Sequence, residues 1–406
     1  HAGAVDESAR GHRTGRAGAL PASPRRRLTA PVSIQRIGRG RRDLDRFFDV
    51  AERLYRGDPN WVPPLRSDLA KVFSDDNPFF RHAEMQLFIA RRDSGDVGRI
   101  AAVVDRAHNK FHQENTAFFG FFESENDAEV AGALFEAAAL WARERRMQVL
   151  RGPANPSMND EAGLLVEGFD SPPVFMMTYN PPFYPALVEG AGFRKAKDLF
   201  AYWFDVAPTP LARLEKMSER VQRKEPDVIV RTISKRSLAA DLPKVQEVYN
   251  AAWEENWGFV PMTSEEMDFM ASRLKPLLDE DFMFLAERKR GDGSREPIAF
   301  MMTMPDYNVA MAAAKGRLLP FGWLRFLLAR RKIRALRVIT LGIKQEYRMR
   351  GINAVMFASG LRAALRRGFS GVEISWLLED NELVIRTVRL WGGRLYKTYR
   401  IYERPI

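Results

Sequence analysis

Dense apolar runs alternate along this chain with longer segments in which apolar residues recur every three or four positions. The first rhythm predicts strands and the second helices. Strands are expected over Val32–Arg36, Gln86–Arg92, Val97–Asp105, Ala117–Glu123, Gln148–Arg151 and Leu199–Val206. Helices are expected over Asp43–Tyr55, over Ala128–Arg146 and near Tyr184–Gly190. Residues 207–227 break the pattern with two prolines near the start and many charges, and predict a linker that is partly helical. The plan then restarts. Val228–Ile233 predicts a strand, Ala239–Trp253 and Ser264–Leu277 helices, and Phe282–Arg288 and Pro297–Pro305 a hairpin. A core strand over Val338–Ile343, a helix from Gly351 to Arg366, a strand over Gly371–Trp376, a helix start at Asn381 and a final strand after Gly392-Gly393 complete it.

The restart carries a residue-level echo. Gly192, Arg194, Lys197 and Tyr202 recur at identical spacing as Gly392, Arg394, Lys397 and Tyr402. The pattern implies a duplicated α/β unit. One copy spans 32–206 and the other 228–406, with an insertion at 306–336. Residues 1–31 are rich in Arg, Ala, Gly and Pro without apolar periodicity, which predicts a disordered arm lacking the apolar middle of a signal peptide.

The richest junction is Leu341-Gly342-Ile343-Lys344-Gln345-Glu346-Tyr347-Arg348-Met349-Arg350-Gly351-Ile352-Asn353-Ala354. A strand ends, a basic turn follows, and a helix starts. A glycine there lets backbone N–H groups approach an anion, and the helix N-terminus carries about half a positive charge. With Arg348 and Arg350 the turn suits a pyrophosphate; a solvated basic turn is the plainer alternative. The first-copy counterpart, Phe122–Ala128, has Glu123, Glu125 and Asp127 instead. Those acids suit a helix cap and repel a pyrophosphate, so one coenzyme site is expected, in the second copy.

Charge sharpens the insertion. The 406-residue chain carries +11, yet residues 1–42 and residues 315–337 each hold +8, so the remainder is mildly acidic. Within 315–337, Leu318, Leu319, Phe321, Trp323, Leu324, Phe326, Leu327, Leu328 and Ile333 are interleaved with cations and no acid. Such a segment suits an anionic membrane surface, with Leu318–Leu328 as the contact, better than nucleic acid. The alternative is a helix packed on its own domain. There are no cysteines, and of the five histidines only His108 and His112 stand close together, so neither thiol chemistry nor a metal site is expected.

The order of strand, Arg348-x-x-Gly351-x-Asn353 turn, helix, strand and Asn381 resembles the GNAT acyltransferase superfamily, although Asn353 departs from its Gly/Ala. The resemblance implies an α/β (α+β) fold of two tandem GNAT-like domains, each a central mixed sheet flanked by helices. It implies acyl-CoA as co-substrate, held by Leu341, Gly342, Ile343, Arg348, Met349, Arg350, Gly351, Ile352, Asn353 and Ala354. The superfamily's usual proton donor and base are missing: Val388 replaces the tyrosine, and Thr340 and Leu341 stand where a carboxylate is common. Glu373, Asn381 and Tyr396 (or its neighbour Tyr399) are the substitute catalytic candidates, although Asn381 also fits a helix cap and Glu373 an outward strand position. His108, Asn155, Asn159 and Asp160 are candidates for holding the amine across the domain interface, and each also fits a loop or cap role.

A narrower resemblance spans residues 58–406. Asn60-Trp-Val-Pro-Pro64, Gly98-Arg-Ile-Ala-Ala102, Gly152-Pro-Ala-Asn-Pro-Ser157, Gly168-Phe-Asp-Ser-Pro-Pro173, Met177-Thr-Tyr-Asn-Pro181 and Trp376-Leu-Leu-Glu-Asp-Asn381 are similar to bacterial tandem GNAT-like proteins that include ceramide synthases. It implies N-acylation of a long-chain sphingoid base by a fatty acyl-CoA. Acyl-CoA supply and the absence of a signal-peptide pattern argue for the cytoplasmic side of the inner membrane, with the periplasmic face as the alternative. An N-acetyltransferase or N-acylamino-acid synthase on a soluble amine, and a GNAT-like binding protein without turnover, are the alternatives.

Overall fold

The computed structural model describes residues 30–93 and 95–406. The predicted arm, 1–31, lies almost wholly outside them. The first half runs β1 (Ser33–Ile37), α1 (Arg41–Leu54), α2 (Arg66–Val72), β2 (Ala83–Arg92), β3 (Gly95–Asp105), α3 (Arg106–His112), β4 (Thr116–Ser124) and α4 (Ala128–Arg143). It continues with β5 (Val149–Gly152), β6 (Ala154–Asn155), β7 (Glu161–Ala162), β8 (Leu164–Glu167), α5 (Tyr184–Gly190) and β9 (Arg194–Asp205). The stretch expected as a linker is a helix over most of its length, α6 (Pro208–Lys224).

The second half runs β10 (Val228–Thr232), α7 (Leu238–Trp253), α8 (Ser264–Leu274), β11 (Met283–Lys289), β12 (Arg295–Pro305), α9 (Asn308–Ala314) and α10 (Gly322–Arg330). Then come β13 (Ala335–Ile343), α11 (Ile352–Arg366), β14 (Gly371–Leu378), α12 (Glu382–Leu390) and β15 (Arg394–Pro405).

Thirteen strands form one sheet, with the path β1-β2-β3-β4-β5-β15-β9-β14-β13-β12-β11-β10 and β8 paired to β15. The last strand of each half is therefore built into the other half's sheet. β15 pairs β5, and β9 pairs β14. The two exchanged strands, which carry the repeated Gly-x-Arg pattern, lie antiparallel at the centre. There Arg194 faces Glu403 and Arg394 faces Trp203. The two pairings interchange when 200 is added to the first-half number and subtracted from the second-half number, as a local two-fold requires.

Apolar stripes place the helices. Asp127 caps α4, accepting from the Glu129 and Val130 N–H groups, and Arg92 pairs with it. Val130, Leu134, Phe135, Ala138 and Trp141 then bury one face of α4 against Phe88, Ile100 and Phe119. On the opposite sheet face, Phe118, Leu199, Ala201, Tyr399 and Ile401 lie beneath the loops between Ala154 and Met177. His82 clasps the halves together. Its Nδ1 lies 3.0 Å from Asp105 and its Nε2 2.9 Å from Glu266, and these two carboxylates raise it to about 10.

Candidate active site

Two parallel strands separate in the second half. β13 and β14 pair only from Ala335 opposite Gly371 to Val338 opposite Ile374. Beyond that, Thr340–Ile343 are held on the outer side by β12, and Leu377 and Leu378 by β9. The facing edges part, and Leu341–Ile343 form one lip of the gap. At Gly342 a side chain would stand 2.5 Å from the Trp253 indole, so glycine lets that ring approach the strand closely.

The basic turn follows this lip. Gly351 occupies the N-cap of α11 at φ +80, a conformation that favours glycine, and among the described residues no side-chain capping bond meets the first turn. Arg348 is a brace: it donates to Ala252 O at 2.7 Å and to Ile343 O at 3.4 Å. Arg350 lies nearer the surface and pairs with Glu225 beyond the end of α6, at 3.0 Å. Met349 is exposed and Asn353 partly so, while Ile352 and Ala354 are buried under the helix. Of the two arginines, only Arg350 can turn to a phosphate by releasing a surface ion pair.

The corresponding gap in the first half is closed. β4 and β5 pair only from Thr116 to Phe118. The space past them is filled by β6, whose Asn155 Oδ1 accepts the Phe121 N–H at 2.6 Å. A side chain at Gly120 would fall 1.9 Å from Ala154 O, so β4 and β6 are in direct backbone contact. The acids of the counterpart turn serve structure: Asp127 caps α4, and partly buried Glu123 accepts from Tyr184 Oη at 2.7 Å.

Beside the open gap lies a buried polar cluster. Glu373 of β14 is fully buried. Its Oε1 accepts from Ser375 Oγ and lies 3.9 Å from Arg337 Nε, and its Oε2 has no partner among the described residues. Burial pushes this carboxyl up to about 7 against the pull of Arg337. The Tyr396 and Tyr399 hydroxyls are also buried and without partners among the described residues. Lys397 donates to Gly168 O and to Ser171 O at 2.7 Å, and burial lowers it to about 8. Arg337 ties the cluster to the first half by donating to Phe175 O and Met176 O, both at 2.7 Å.

The expected residues scatter around this centre. Asn381 stands at the N-cap of α12 with no side-chain capping bond. Val388 is buried in a small apolar group with Tyr202 and Ile385. His108 is buried against Phe118, and burial lowers it to about 4, so it is neutral near pH 7. Asn159 does reach the second half, donating to Val260 O at 2.9 Å. Asp160 accepts from Ser157 Oγ at 2.6 Å.

Arg337 corrects the charge reading of 315–337. It is buried, because its place in the strand alternation of β13 puts it opposite Glu373, and it contributes nothing to a surface patch. Phe326, Ala329 and Ile333 likewise pack inward. Leu319, Phe321, Trp323, Leu324, Leu327 and Leu328 remain exposed, among the remaining cations. Among the described residues no helix is long and apolar enough to cross a membrane.

A half in which a strand pair opens beside a glycine-capped helix, joined through its sheet to a second half with the same order of strands and helices, has the tandem GNAT fold. Two solved structures share this fold. One is a tandem GNAT protein from the clavulanic acid biosynthesis pathway, with TM-score 0.54 and 12% identity over 92% of this chain and 98% of that one. The other is a GCN5-related N-acetyltransferase from Sphaerobacter thermophilus, with TM-score 0.53 and 12% identity over 93% and 97%. No family model matches the sequence. The chain is 36% identical to bacterial ceramide synthase of Caulobacter vibrioides, over 90% of this chain and 95% of that protein. It is 34% identical to protein YghO of Escherichia coli, over 93% and 98%. The chain belongs to the family of these two relatives, has the tandem GNAT fold and is an acyltransferase.

Proposed function

We propose that the protein transfers a fatty acyl group from acyl-CoA to the amine of a long-chain, sphingoid-type base, forming a ceramide-type amide. The observation that carries the reading is a single open strand gap beside a buried carboxyl. In this reading the coenzyme pyrophosphate meets the α11 N-terminus and Arg350, and the thioester lies along Leu341–Ile343. Glu373 takes the proton from the attacking nitrogen, the nitrogen–carbon bond forms, the carbon–sulfur bond breaks, and Tyr396 protonates the departing thiolate. The relative named bacterial ceramide synthase supports the class of amine.

The exposed apolar and cationic face around α10 supports docking on an anionic bilayer, where long-chain substrates reside. Peripheral attachment to the inner membrane from the cytoplasmic side follows from this reading and from the cytosolic supply of acyl-CoA.

The test is a product assay. The pure protein is given palmitoyl-CoA or acetyl-CoA with sphinganine or a panel of amino acids, and free coenzyme A and amide are measured. Amide from palmitoyl-CoA and sphinganine is the expected result. Product only from acetyl-CoA and soluble amines would refute it.

A further inference from the structure

Helix α6, which joins the two halves, lies against the coenzyme turn. Its Leu214 packs on Ala354 and Ala358 of α11, with Met217, Phe357 and Trp391 around them. Near its end, a side chain at Gly351 would stand 2.7 Å from Val221 Cγ2, and Glu225 holds Arg350 at 3.0 Å. The same helix carries Arg213, Lys216, Arg220, Arg223 and Lys224, all exposed. At about 100° per residue these five fall within about 100° of arc, beside the buried face. None of them makes an ion pair or a side-chain hydrogen bond among the described residues.

The opposite flank of α6 has its charge answered, because Glu215 pairs with Arg362 of α11 at 2.8 Å. Arg362 projects on one side of the row formed by Ala354 and Ala358, and Phe357 on the other. The five cations therefore share the side of Phe357. There Phe357 meets Trp391, at the end of α12, edge to face at 5.8 Å. Since α12 follows β14, the far edge of the open gap, the cationic flank is turned to the side on which the gap opens. Arg220 and Lys224 adjoin Val221 and Glu225, the two residues seated on the Gly351 turn. Within the helix the cations repel one another. Arg213 and Lys216, Lys216 and Arg220, Arg220 and Arg223, and Arg220 and Lys224 are three or four residues apart, a spacing at which like charges destabilise a helix. An anion brought from outside would relieve that repulsion.

Coenzyme A carries anionic groups at two places. Its pyrophosphate meets the α11 N-terminus in the placement proposed above, and its 3′-phosphate hangs from the adjoining ribose. Such a phosphomonoester bears about −1.5 to −2 charge near pH 7 and accepts several hydrogen bonds. We infer that Arg220 and Lys224 bind the 3′-phosphate of the coenzyme, so that the helix joining the halves forms one wall of the coenzyme site. Arg213 and Lys216 extend the positive field along α6 and draw the polyanion toward the turn.

This assignment rests on the coenzyme placement proposed above, and its test separates the two. Coenzyme A and 3′-dephospho-coenzyme A are titrated into the full chain by calorimetry at pH 7 and low salt. The same pair is titrated into Arg220→Gln/Lys224→Gln and into Lys235→Gln/Arg236→Gln, an equal charge change elsewhere. Lys235 lies by Glu280, whose neighbours Asp279 and Asp281 pair with Arg367 at the far end of α11. The wild type should prefer coenzyme A by about fivefold or more, a preference that falls to about one in the first variant and is kept in the second. Equal affinities in the wild type, a preference undiminished in the first variant, or one lost in both variants overturns the assignment. Equal affinities with one coenzyme bound per chain would leave the placement at the turn standing. Binding of neither ligand to the wild type would remove that placement and the assignment with it.

Discussion

Replacing Glu373 by glutamine separates a buried base from a structural carboxyl. Burial moves this group from 4.5 to about 7. That shift, at about 1.36 kcal/mol per unit, corresponds to about 3 kcal/mol of differential stability between its two protonation states. The sign follows from the direction. A raised carboxyl contributes stability that is fully present below pH 4.5 and is lost as pH rises through about 7. The wild type should therefore lose about 3 kcal/mol relative to Glu373→Gln between pH 4.5 and pH 8. Arg337 stays charged throughout, so its altered contact adds an offset independent of pH. Urea unfolding at a series of pH values measures the gap. The same variant should lose about a hundredfold to ten-thousandfold in kcat. Wild-type activity should rise with pH through about 7, a limb absent from the variant's residual activity. A stability gap flat across that range, together with unchanged kcat, would refute the assignment.

Three further outcomes follow from the geometry. Glu225→Gln releases Arg350 from its surface ion pair and should tighten coenzyme A about two- to fivefold by calorimetry, since such pairs are worth up to about 1 kcal/mol; weaker binding would show that Glu225 orients Arg350 productively. Asn155→Ala leaves the Phe121 N–H without its acceptor and should cost about 1–3 kcal/mol in urea unfolding, with KM for the amine unchanged. Changing exposed Phe321, Trp323 and Leu327 to serine should abolish flotation with phosphatidylglycerol vesicles while leaving the melting temperature within a few degrees; each side chain contributes up to about 1.5–3 kcal/mol when buried, and undiminished flotation would remove the membrane surface from the account.

The periodic elements were legible because one face of each is buried, as Val130, Leu134 and Ala138 show on α4. Short helices such as Arg66–Val72 and Asn308–Ala314 span only about two turns and leave little periodic signal. The exchange of β9 and β15 was invisible, although the Gly192 and Gly392 repeat marked both strands, because strand alternation encodes a face and not a partner. Arg337 was misread for a related reason: a cation following a basic run looks solvated until the strand across from it supplies Glu373. Among the candidate site residues, Glu373 and Tyr396 stood out because the usual carboxylate and tyrosine were missing.

The account turns on one coenzyme site per chain, in the second half. Calorimetric titration with a thioether analogue of palmitoyl-CoA, which binds but cannot transfer, tests it directly. One molecule should bind per chain, retained in Glu373→Gln and lost in Arg350→Glu. Two molecules per chain, or one that survives Arg350→Glu with unchanged affinity, would contradict it.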